Sequence, residues 1–337
     1  MRGHLARLLL AGLLAPALVH AASVQHLAGR TMGTTWTVSL EAAPERAASL
    51  RDGVQARLDE VVAQMSTWEP ESALSRYNRA TAGSWHRLPA GASQVVAASL
   101  ELARDSGGAF DPTIGPLVDA WGYGPARRPA TGPDMEQVAS ARSRIGWERL
   151  QLAPDGRLLQ PGDIQLDLSA IAKGHGVDRV AGYLLAEGIA DFLVEVGGEL
   201  RAHGRRPDGL PWRVAVEQPA ADDSRLDDVQ LVVRLDGMAI ATSGDYRRSD
   251  LVDGHTVSHI LDPRTGQPVT HSLAAVTVLH PQAMQADALA TTLLVLGPVE
   301  GLEWARERGI AALLVWREGQ GFGSAMTDAF APHVVQP

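Results

Sequence analysis

The stretch LDLSAIAKG, residues 166–174, predicts a strand that delivers Asp167 to its end and a helix that begins directly after it. Free N–H groups at the start of a helix favour phosphate or another anion. Lys173, the only lysine of the chain, lies close enough to that start to reach such a ligand. The same pattern also fits a simple cap, in which Asp167 or Ser169 accepts a hydrogen bond from the helix.

The elements around this junction mix strands and helices without a regular alternation. Apolar residues recur at helical spacing over 44–65 and 90–106, whereas 31–40 alternates as strands do and 192–196 is a short apolar run. The missing βαβ alternation favours an α+β fold over a doubly wound one. Further helices are predicted over 133–145, 169–187, 284–296 and 300–308, a hairpin over 150–159, and strands over 164–168, 212–217, 228–235, 238–242, 258–261, 274–279 and 310–317.

Composition narrows the class of ligand. The chain has 337 residues, of which 45% are hydrophobic, and a formal net charge of -9. Nucleic acid is not expected as a partner, because binding its phosphates needs a basic face. An acidic chain that binds a polyanion needs a local positive charge, and a metal ion is the obvious one. The absence of cysteine excludes disulfides, thiolate metal sites and cysteine nucleophiles.

Residues 1–21 have the pattern of an export signal. Arg2 and Arg7 form a basic start, residues 8–19 are an apolar run, and small residues follow at the usual cleavage positions. We therefore expect a signal peptide over 1–21 and one mature domain over 22–337. The alternative is a short membrane anchor, although the run is shorter than the roughly 20 residues that a span needs.

Asp287 and Thr291 are candidate metal ligands. They lie four residues apart on a predicted helix, so their side chains share one face. Carboxylate and hydroxyl oxygens suit a hard cation such as Mg²⁺. Such a pair is by itself weak evidence for a metal site. More commonly the two side chains are simply exposed or form a local hydrogen bond.

His259 is a candidate for proton transfer. It lies in a predicted strand that ends in the turn of residues 262–266, on the same side as Leu261. A histidine at this place can exchange protons near neutral pH, but it can equally be a packed or solvated side chain. The chain has no G-x-G-x-x-G, Walker or G-x-S-x-G pattern, so Rossmann, P-loop and nucleophile-elbow interpretations fail.

Taken together and in order, eight segments of the chain resemble the ApbE family of FAD:protein FMN transferases. Eight motifs in the right order are specific, whereas one alone is modest evidence. His175 departs from the family, which more often has an aromatic residue there. The segments are TMGTTW (31–36), MSTWEPESALSRYN (65–78), FDPTIGPLVDAWGYG (110–124), LDLSAIAKGHGVD (166–178), VEVGGEL (194–200), ATSGDYRR (241–248), SHILDPRTGQPV (258–269) and ADALATTLLVLG (286–297).

The resemblance implies roles for the residues that match the family's motifs. The implied metal ligands are Asp287, Thr291 and the backbone carbonyl of Ala170. For the reaction itself, His259 and Asp287 are the two candidates for the catalytic group that takes the hydroxyl proton, and the sequence does not decide between them. The residues implied to bind the cofactor are Met32, Trp68, Ala109, Phe110, Asp111, Asp167, Lys173 and Leu261.

The resemblance also implies a fold and a reaction. The fold would be α+β, with mixed, largely antiparallel sheets, packed helices and an active site in a cleft between two lobes. The enzyme would use Mg²⁺ to transfer the FMN part of FAD to a Thr or Ser of an acceptor flavoprotein subunit of a membrane redox complex, in the periplasm. A Mg²⁺-dependent FAD pyrophosphatase and a flavin-binding protein without catalysis are the alternatives. No stable membrane span is expected after signal cleavage, and no lipid anchor, because a lipoprotein needs a cysteine.

Overall fold

The computed structural model of the chain describes residues 23–126, 132–219, 229–245, 249–252 and 255–335. The predicted signal peptide, residues 1–21, lies outside the described residues. Residues 246–248 of the segment at 241–248 also lie outside them.

The predicted long helices are all present in the structure. The helices predicted over 44–65, 90–106, 133–145, 169–187, 284–296 and 300–308 are confirmed, with ends that differ by up to three residues. Two helices of six residues each, the second and the fourth, were not predicted, because so few residues show little periodicity. The helices are α1 (Ala47–Met65), α2 (Ala73–Asn78), α3 (Ala90–Asp105), α4 (Gly115–Ala120), α5 (Met135–Arg142), α6 (Ser169–Ala186), α7 (Ala283–Leu296) and α8 (Glu300–Glu307). None of the helices in the described ranges has the length and apolar character to cross a bilayer.

Seventeen strands lie in the described part of the chain. They are β1 (Ser23–Thr31), β2 (Thr34–Ala42), β3 (Trp85–Arg87), β4 (Gln151–Leu152), β5 (Arg157–Leu159), β6 (Phe192–Val196), β7 (Glu199–His203), β8 (Trp212–Glu217), β9 (Val229–Leu235), β10 (Ala239–Gly244), β11 (Ser249–Val252), β12 (His255–Ser258), β13 (Leu261–Asp262), β14 (Gln267–Pro268), β15 (Leu273–His280), β16 (Ala311–Glu318) and β17 (Gly321–Met326).

Eight of these strands form one antiparallel sheet in the order β1-β2-β6-β7-β10-β15-β16-β17. Strand β15 is buried on both faces. Val276 and Val278 pack in the apolar cluster that contains α3 and α7, and Ala275 and Leu279 pack with the separate hairpin β8–β9. The large antiparallel sheet with helices on one face confirms the predicted α+β class.

Helix α7 lies at the centre of the helical layer, since twelve of its fourteen residues are buried. Its first N–H groups are capped by α6, because Asp178 accepts hydrogen bonds from the N–H groups of Ala283 (3.0 Å) and Met284 (2.9 Å). A Cβ added to Gly174 of α6 would lie 2.2 Å from the carbonyl oxygen of Ala283. The two helices therefore approach to a distance that only glycine allows, and Asp178 holds them there.

The strand predicted over 31–40 is wrong at its start. Met32 and Gly33 both have left-handed backbone angles, with φ of 47° and 74°. Positive φ at both central residues defines a type I′ hairpin turn, which joins β1 to β2. The sequence did not predict this turn, because methionine rarely adopts such angles.

The strand predicted over 164–168 is also wrong. A single parallel bridge joins Gln165 to Ile114, and no ladder follows within the described residues. The side chain of Asn78 takes the place of a partner strand. It donates to the carbonyl oxygen of Leu166 (2.9 Å) and accepts from the N–H of the same residue (2.8 Å). A side chain that satisfies the backbone in this way makes a sheet partner unnecessary.

The strand predicted over 258–261 is split in two. Ser258 ends β12 and accepts a hydrogen bond from the N–H of Ile260 at 3.1 Å through its hydroxyl. This local bond bends the chain before β13 begins at Leu261. His259 lies between the two strands, so the alternation that placed it beside Leu261 does not apply.

We predict that Gly174→Ala lowers the free energy of unfolding by about 2–3 kcal/mol, because the new methyl group would overlap the Ala283 carbonyl oxygen. The matched control is Gly182→Ala in the same helix, where nothing lies within 4 Å of the new methyl group. The control should raise the free energy of unfolding by about 0.5–1 kcal/mol, since alanine is the better helix former. Urea unfolding measures both variants. Equal effects would contradict the close approach of α6 and α7.

Candidate active site

Three charged side chains meet where α6, α7 and β7 come together. Asp287 on α7 is only 3% exposed, and Glu199 at the start of β7 is equally buried. Lys173 of α6 places its Nζ atom 2.6 Å from Oε1 of Glu199 and 3.7 Å from Oδ1 of Asp287. The structure thus brings the predicted residues Lys173 and Asp287 together, and it adds Glu199, which was not predicted to have a role.

The backbone of α6 fixes the Asp287 carboxylate. The N–H of Gly174 donates a hydrogen bond of 3.0 Å to Oδ2 of Asp287. In a regular helix this N–H bonds to the carbonyl four residues earlier, which is that of Ala170. A carbonyl oxygen has two lone pairs, so that of Ala170 can accept a further partner beside a helix bond. Its role as a metal ligand stays a prediction.

Thr291 lies one turn after Asp287 on α7. Its Oγ1 atom is 3.0 Å from the hydroxyl oxygen of Ser243 on β10. Either hydroxyl can donate, so the Thr291 oxygen keeps a lone pair for a further ligand. Ser243 was not predicted to have a role, although it lies in one of the segments that carry the family resemblance.

Burial and charge both act on Glu199. Burial, followed by the charge of Asp287, raises the pKa of Glu199 to about 7, and Lys173 opposes this shift. The Oε2 atom of Glu199 has no hydrogen-bond partner in the described part of the chain. When both carboxylates are ionised, the two negative charges exceed the single ammonium charge, and the group attracts a further cation.

The residues present fit a hard divalent cation. Among the described residues, no three His, Asp or Glu side chains lie close enough together to hold a metal ion by themselves. A site here would instead combine the Asp287 carboxylate, the Thr291 hydroxyl and the Ala170 carbonyl. All three are oxygen donors of the kind that Mg²⁺ prefers, and the nearby charges sum to a negative value.

Met32 lies beside α6. It packs against the apolar cluster that contains α3 and α7, and also against a second apolar cluster, formed by residues of α1, α6, β2 and β6. A Cβ added to Gly176 of α6 would lie 3.1 Å from the Cε atom of Met32. The turn at Met32 therefore places this side chain against the helix that also carries Lys173.

Asp167 lies beside a cavity of 150 Å³, which Thr67, Asn78 and Asp119 also line. Its Oδ1 atom accepts a hydrogen bond of 2.8 Å from the N–H of Ser169, so the capping role is present. Trp68, next to Thr67 in the chain, is 67% exposed and open to a ligand. A larger groove of 500 Å³ between α4 and α5 contains none of the predicted site residues.

The segment 109–111 is held within the protein. Ala109 and Phe110 are buried in the apolar cluster around α3. Asp111 accepts hydrogen bonds from the N–H (2.8 Å) and hydroxyl (2.6 Å) of Thr113 and from the N–H of Trp147 (3.3 Å). Burial raises the pKa of Asp111, and the bonds from Thr113 oppose that shift. Its part in ligand binding stays a prediction.

His259 and Leu261 lie on the side of the molecule formed by α4 and α5. The His259 ring meets the Tyr123 ring edge to face, with centroids 6.2 Å apart. Leu261 is buried with Leu117 and Val138 in a small apolar cluster. Their roles at the site stay predictions.

Glu199 and Asp178 are two acids near the site for which the sequence analysis predicted no role. Each lies in a segment quoted for the resemblance, at 194–200 and 166–178. The signal was available for Glu199, because an acid that follows a Gly-Gly turn inside an apolar strand is costly unless it is paired. No local pattern marks Asp178, because its partners Arg201, Ala283 and Met284 lie 23, 105 and 106 residues away in the chain.

Residues 32–314 match the ApbE family. The FAD:protein FMN transferase of Klebsiella pneumoniae is 40% identical over 92% of this chain and 89% of its own length. The enzyme of the same name from Escherichia coli K12 is 37% identical over 95% of this chain and 92% of its own. These relatives are enzymes, and their match over nearly the whole chain confirms the prediction of a transferase.

Solved structures give the same result. The flavin transferase ApbE from Vibrio cholerae superposes with a TM-score of 0.85 at 38% identity, covering 93% of this chain and 99% of its own. The apo flavinyl transferase ApbE from Pseudomonas stutzeri gives a TM-score of 0.84 at 42% identity, covering 94% and 98%. The chain therefore has the fold of a flavin transferase. The chain belongs to the ApbE family, as the eight segments predicted.

His175, the departure from the family pattern, is a buried side chain of α6. Burial lowers the pKa of His175 to about 4. The nearby charge of Arg179 acts in the same direction, whereas Asp178 and Glu60 oppose it. The imidazole is therefore neutral in the fold, and its contribution to stability is full above about pH 6.5 and is lost as the pH falls toward 4.

We predict that His175→Phe reduces the loss of stability at low pH. Between about pH 7.5 and pH 5 the wild-type chain should lose about 2 kcal/mol of unfolding free energy that the variant does not lose. Urea unfolding at both pH values measures the change in unfolding free energy for each protein. The effect of altered packing on stability is the same at both pH values, so it cancels in this difference. Equal losses in the two proteins would show that His175 is not the titrating group.

Proposed function

We propose that the chain is a Mg²⁺-dependent FAD:protein FMN transferase, which attaches the FMN part of FAD to a Thr or Ser hydroxyl of an acceptor protein and releases AMP. The names of its relatives support FAD as the substrate. The observation that carries the proposal is the buried carboxylate of Asp287, which lies one helical turn before Thr291. The N–H of Gly174 fixes this carboxylate with a hydrogen bond.

The reaction breaks the phosphoanhydride bond of FAD and forms a phosphoester bond to the acceptor. The acceptor hydroxyl oxygen bonds to the FMN-side phosphorus, the bond from that phosphorus to the bridging oxygen breaks, and AMP leaves with this oxygen. Asp287, Thr291 and the Ala170 carbonyl would hold the metal. Mg²⁺, when bound, supplies positive charge that offsets the charge of the phosphate oxygens. Lys173, at the start of α6, would bind an anionic part of FAD.

The hydroxyl proton needs an acceptor on the chain. Asp287 and His259 are the two candidates. Asp287 already receives the Gly174 N–H on one oxygen and would hold the metal with the other, so His259 is the better candidate. A neutral imidazole can accept the proton near physiological pH.

The family resemblance supports the proposed acceptor, and the pattern of residues 1–21 supports the proposed compartment. We propose a flavoprotein subunit of a membrane redox complex as the acceptor. The signal pattern of residues 1–21 supports export to the periplasm.

We predict that Asp287→Ala abolishes transfer, with a loss of at least about 10²–10³ in rate, because the site loses its only carboxylate ligand. Flavin fluorescence of a co-expressed acceptor domain in a denaturing gel measures the product. Glu303→Ala, which removes an exposed carboxylate on α8, is the matched control and should transfer normally. Near-normal transfer by Asp287→Ala would refute the proposed metal site.

We also predict that AMP release depends on the acceptor. The wild-type protein, incubated with FAD and Mg²⁺ alone, should release AMP slowly, whereas addition of the acceptor domain should release one AMP for each flavin attached. Chromatography of the nucleotides measures both amounts. Rapid turnover without the acceptor would identify a pyrophosphatase, and intact FAD under both conditions would identify a binding protein.

A further inference from the structure

We propose that Glu199 is a positioning residue, which holds the Lys173 ammonium group away from Asp287 and so keeps the Asp287 carboxylate available to a divalent cation. This inference rests on the proposed function for the metal at Asp287. Neither Lys173 nor Asp287 can by itself keep the ammonium group away from the Asp287 carboxylate, so this task falls to Glu199.

The distances show which carboxylate holds the ammonium group. Nζ of Lys173 lies 2.6 Å from Glu199, which is the length of a strong charge-assisted hydrogen bond. Its distance to Asp287 is 3.7 Å, which is too long for a hydrogen bond. Lys173 therefore contributes positive charge near Asp287 without occupying that carboxylate.

The turn between β6 and β7 fixes Lys173 along its length. Gly197, with φ of +60°, lies beside the side-chain stem, since a Cβ at this position would be 3.5 Å from Cδ of Lys173 and 2.8 Å from Cγ2 of Thr34. Glu199 follows two residues later and binds the head of the side chain. A Gly-Gly turn before a buried acid thus holds both the apolar stem and the charged end.

Loss of the Glu199 carboxylate would change the partner of Lys173. Lysine has a flexible stem with freely rotating donors, and Asp287 is the other carboxylate close to its ammonium group. The ammonium group would then pair directly with Asp287 and compete with a divalent cation for the same oxygen. Glu199 prevents this competition in the wild-type protein.

The test uses Mn²⁺ as the probe and the mature chain without FAD. Electron paramagnetic resonance of free Mn²⁺ gives the dissociation constant, under nitrogen at about pH 8, where Glu199 with its pKa of about 7 is ionised. Glu199→Gln should weaken Mn²⁺ binding by at least about tenfold. The double variant Glu199→Gln with Lys173→Met should restore it, because the competing ammonium group is gone. Glu101→Gln, an exposed carboxylate on α3, is the matched control.

Glu199→Asp separates positioning from net charge. This variant keeps the charge but withdraws the carboxylate by about 1.5 Å, one carbon–carbon bond. If Glu199 acts by position, the variant should bind Mn²⁺ several-fold more weakly than the wild-type chain. Wild-type affinity in Glu199→Asp would overturn the inference, since net charge alone would then explain Glu199→Gln. Circular dichroism and thermal unfolding check that each variant is folded.

The single lysine also locates the bound ion. Reductive methylation with ¹³C-formaldehyde labels only Lys173 and the chain's terminal amine, and it keeps the charge of both. Bound Mn²⁺ should broaden the Lys173 signal in the wild-type chain. No Mn²⁺ binding near Lys173 in the wild-type chain would overturn the proposed metal site, and this inference with it. Binding there that Glu199→Gln leaves unchanged would overturn the inference alone, as would failure of the double variant to recover.

Discussion

The hydrogen bond of 3.0 Å from the Gly174 N–H to the Asp287 carboxylate joins α6 to α7 at the place where the site forms. Asp287 lies on a helix that is buried nearly all round, where an unpaired carboxylate would be very costly. The bond needs a close approach of the two helices, which glycine permits and Asp178 secures by capping α7. The same bond fixes the carboxylate that we propose as a metal ligand.

The charges around this contact explain how an acidic chain can bind an anionic dinucleotide. The chain carries a net charge of -9 and one lysine, whose Nζ atom lies 2.6 Å from Glu199 and 3.7 Å from Asp287. Burial is the largest cause that raises the pKa of Glu199 to about 7, and repulsion by the charge of Asp287 is the second. A divalent cation at Asp287 would relieve this repulsion and attract phosphate. Lys173 would then serve the ligand, since Glu199 keeps it from neutralising the metal site.

The sequence predicted most of the long elements and the family, but it could not predict contacts between distant segments. The ends of helices α6 and α7 were predicted to within one residue, and α7 is an apolar run that the fold buries nearly all round. The turn at Met32 was missed because its left-handed backbone is unusual for methionine. The extended segment at 164–168 looked like a strand, although Asn78 takes the place of a sheet partner. Asp178 and Glu199 gain their roles only when the fold brings remote groups to them.

A crystal of the protein soaked with Mn²⁺ and FAD, measured with anomalous scattering at the manganese edge, tests the central claim most directly. We expect one strong anomalous peak within about 2.2 Å of a carboxylate oxygen of Asp287, with the Thr291 hydroxyl and the Ala170 carbonyl among its other ligands. A phosphate oxygen of FAD should complete the coordination. A manganese peak at another place, with Asp287 remote from every phosphate, would contradict the account.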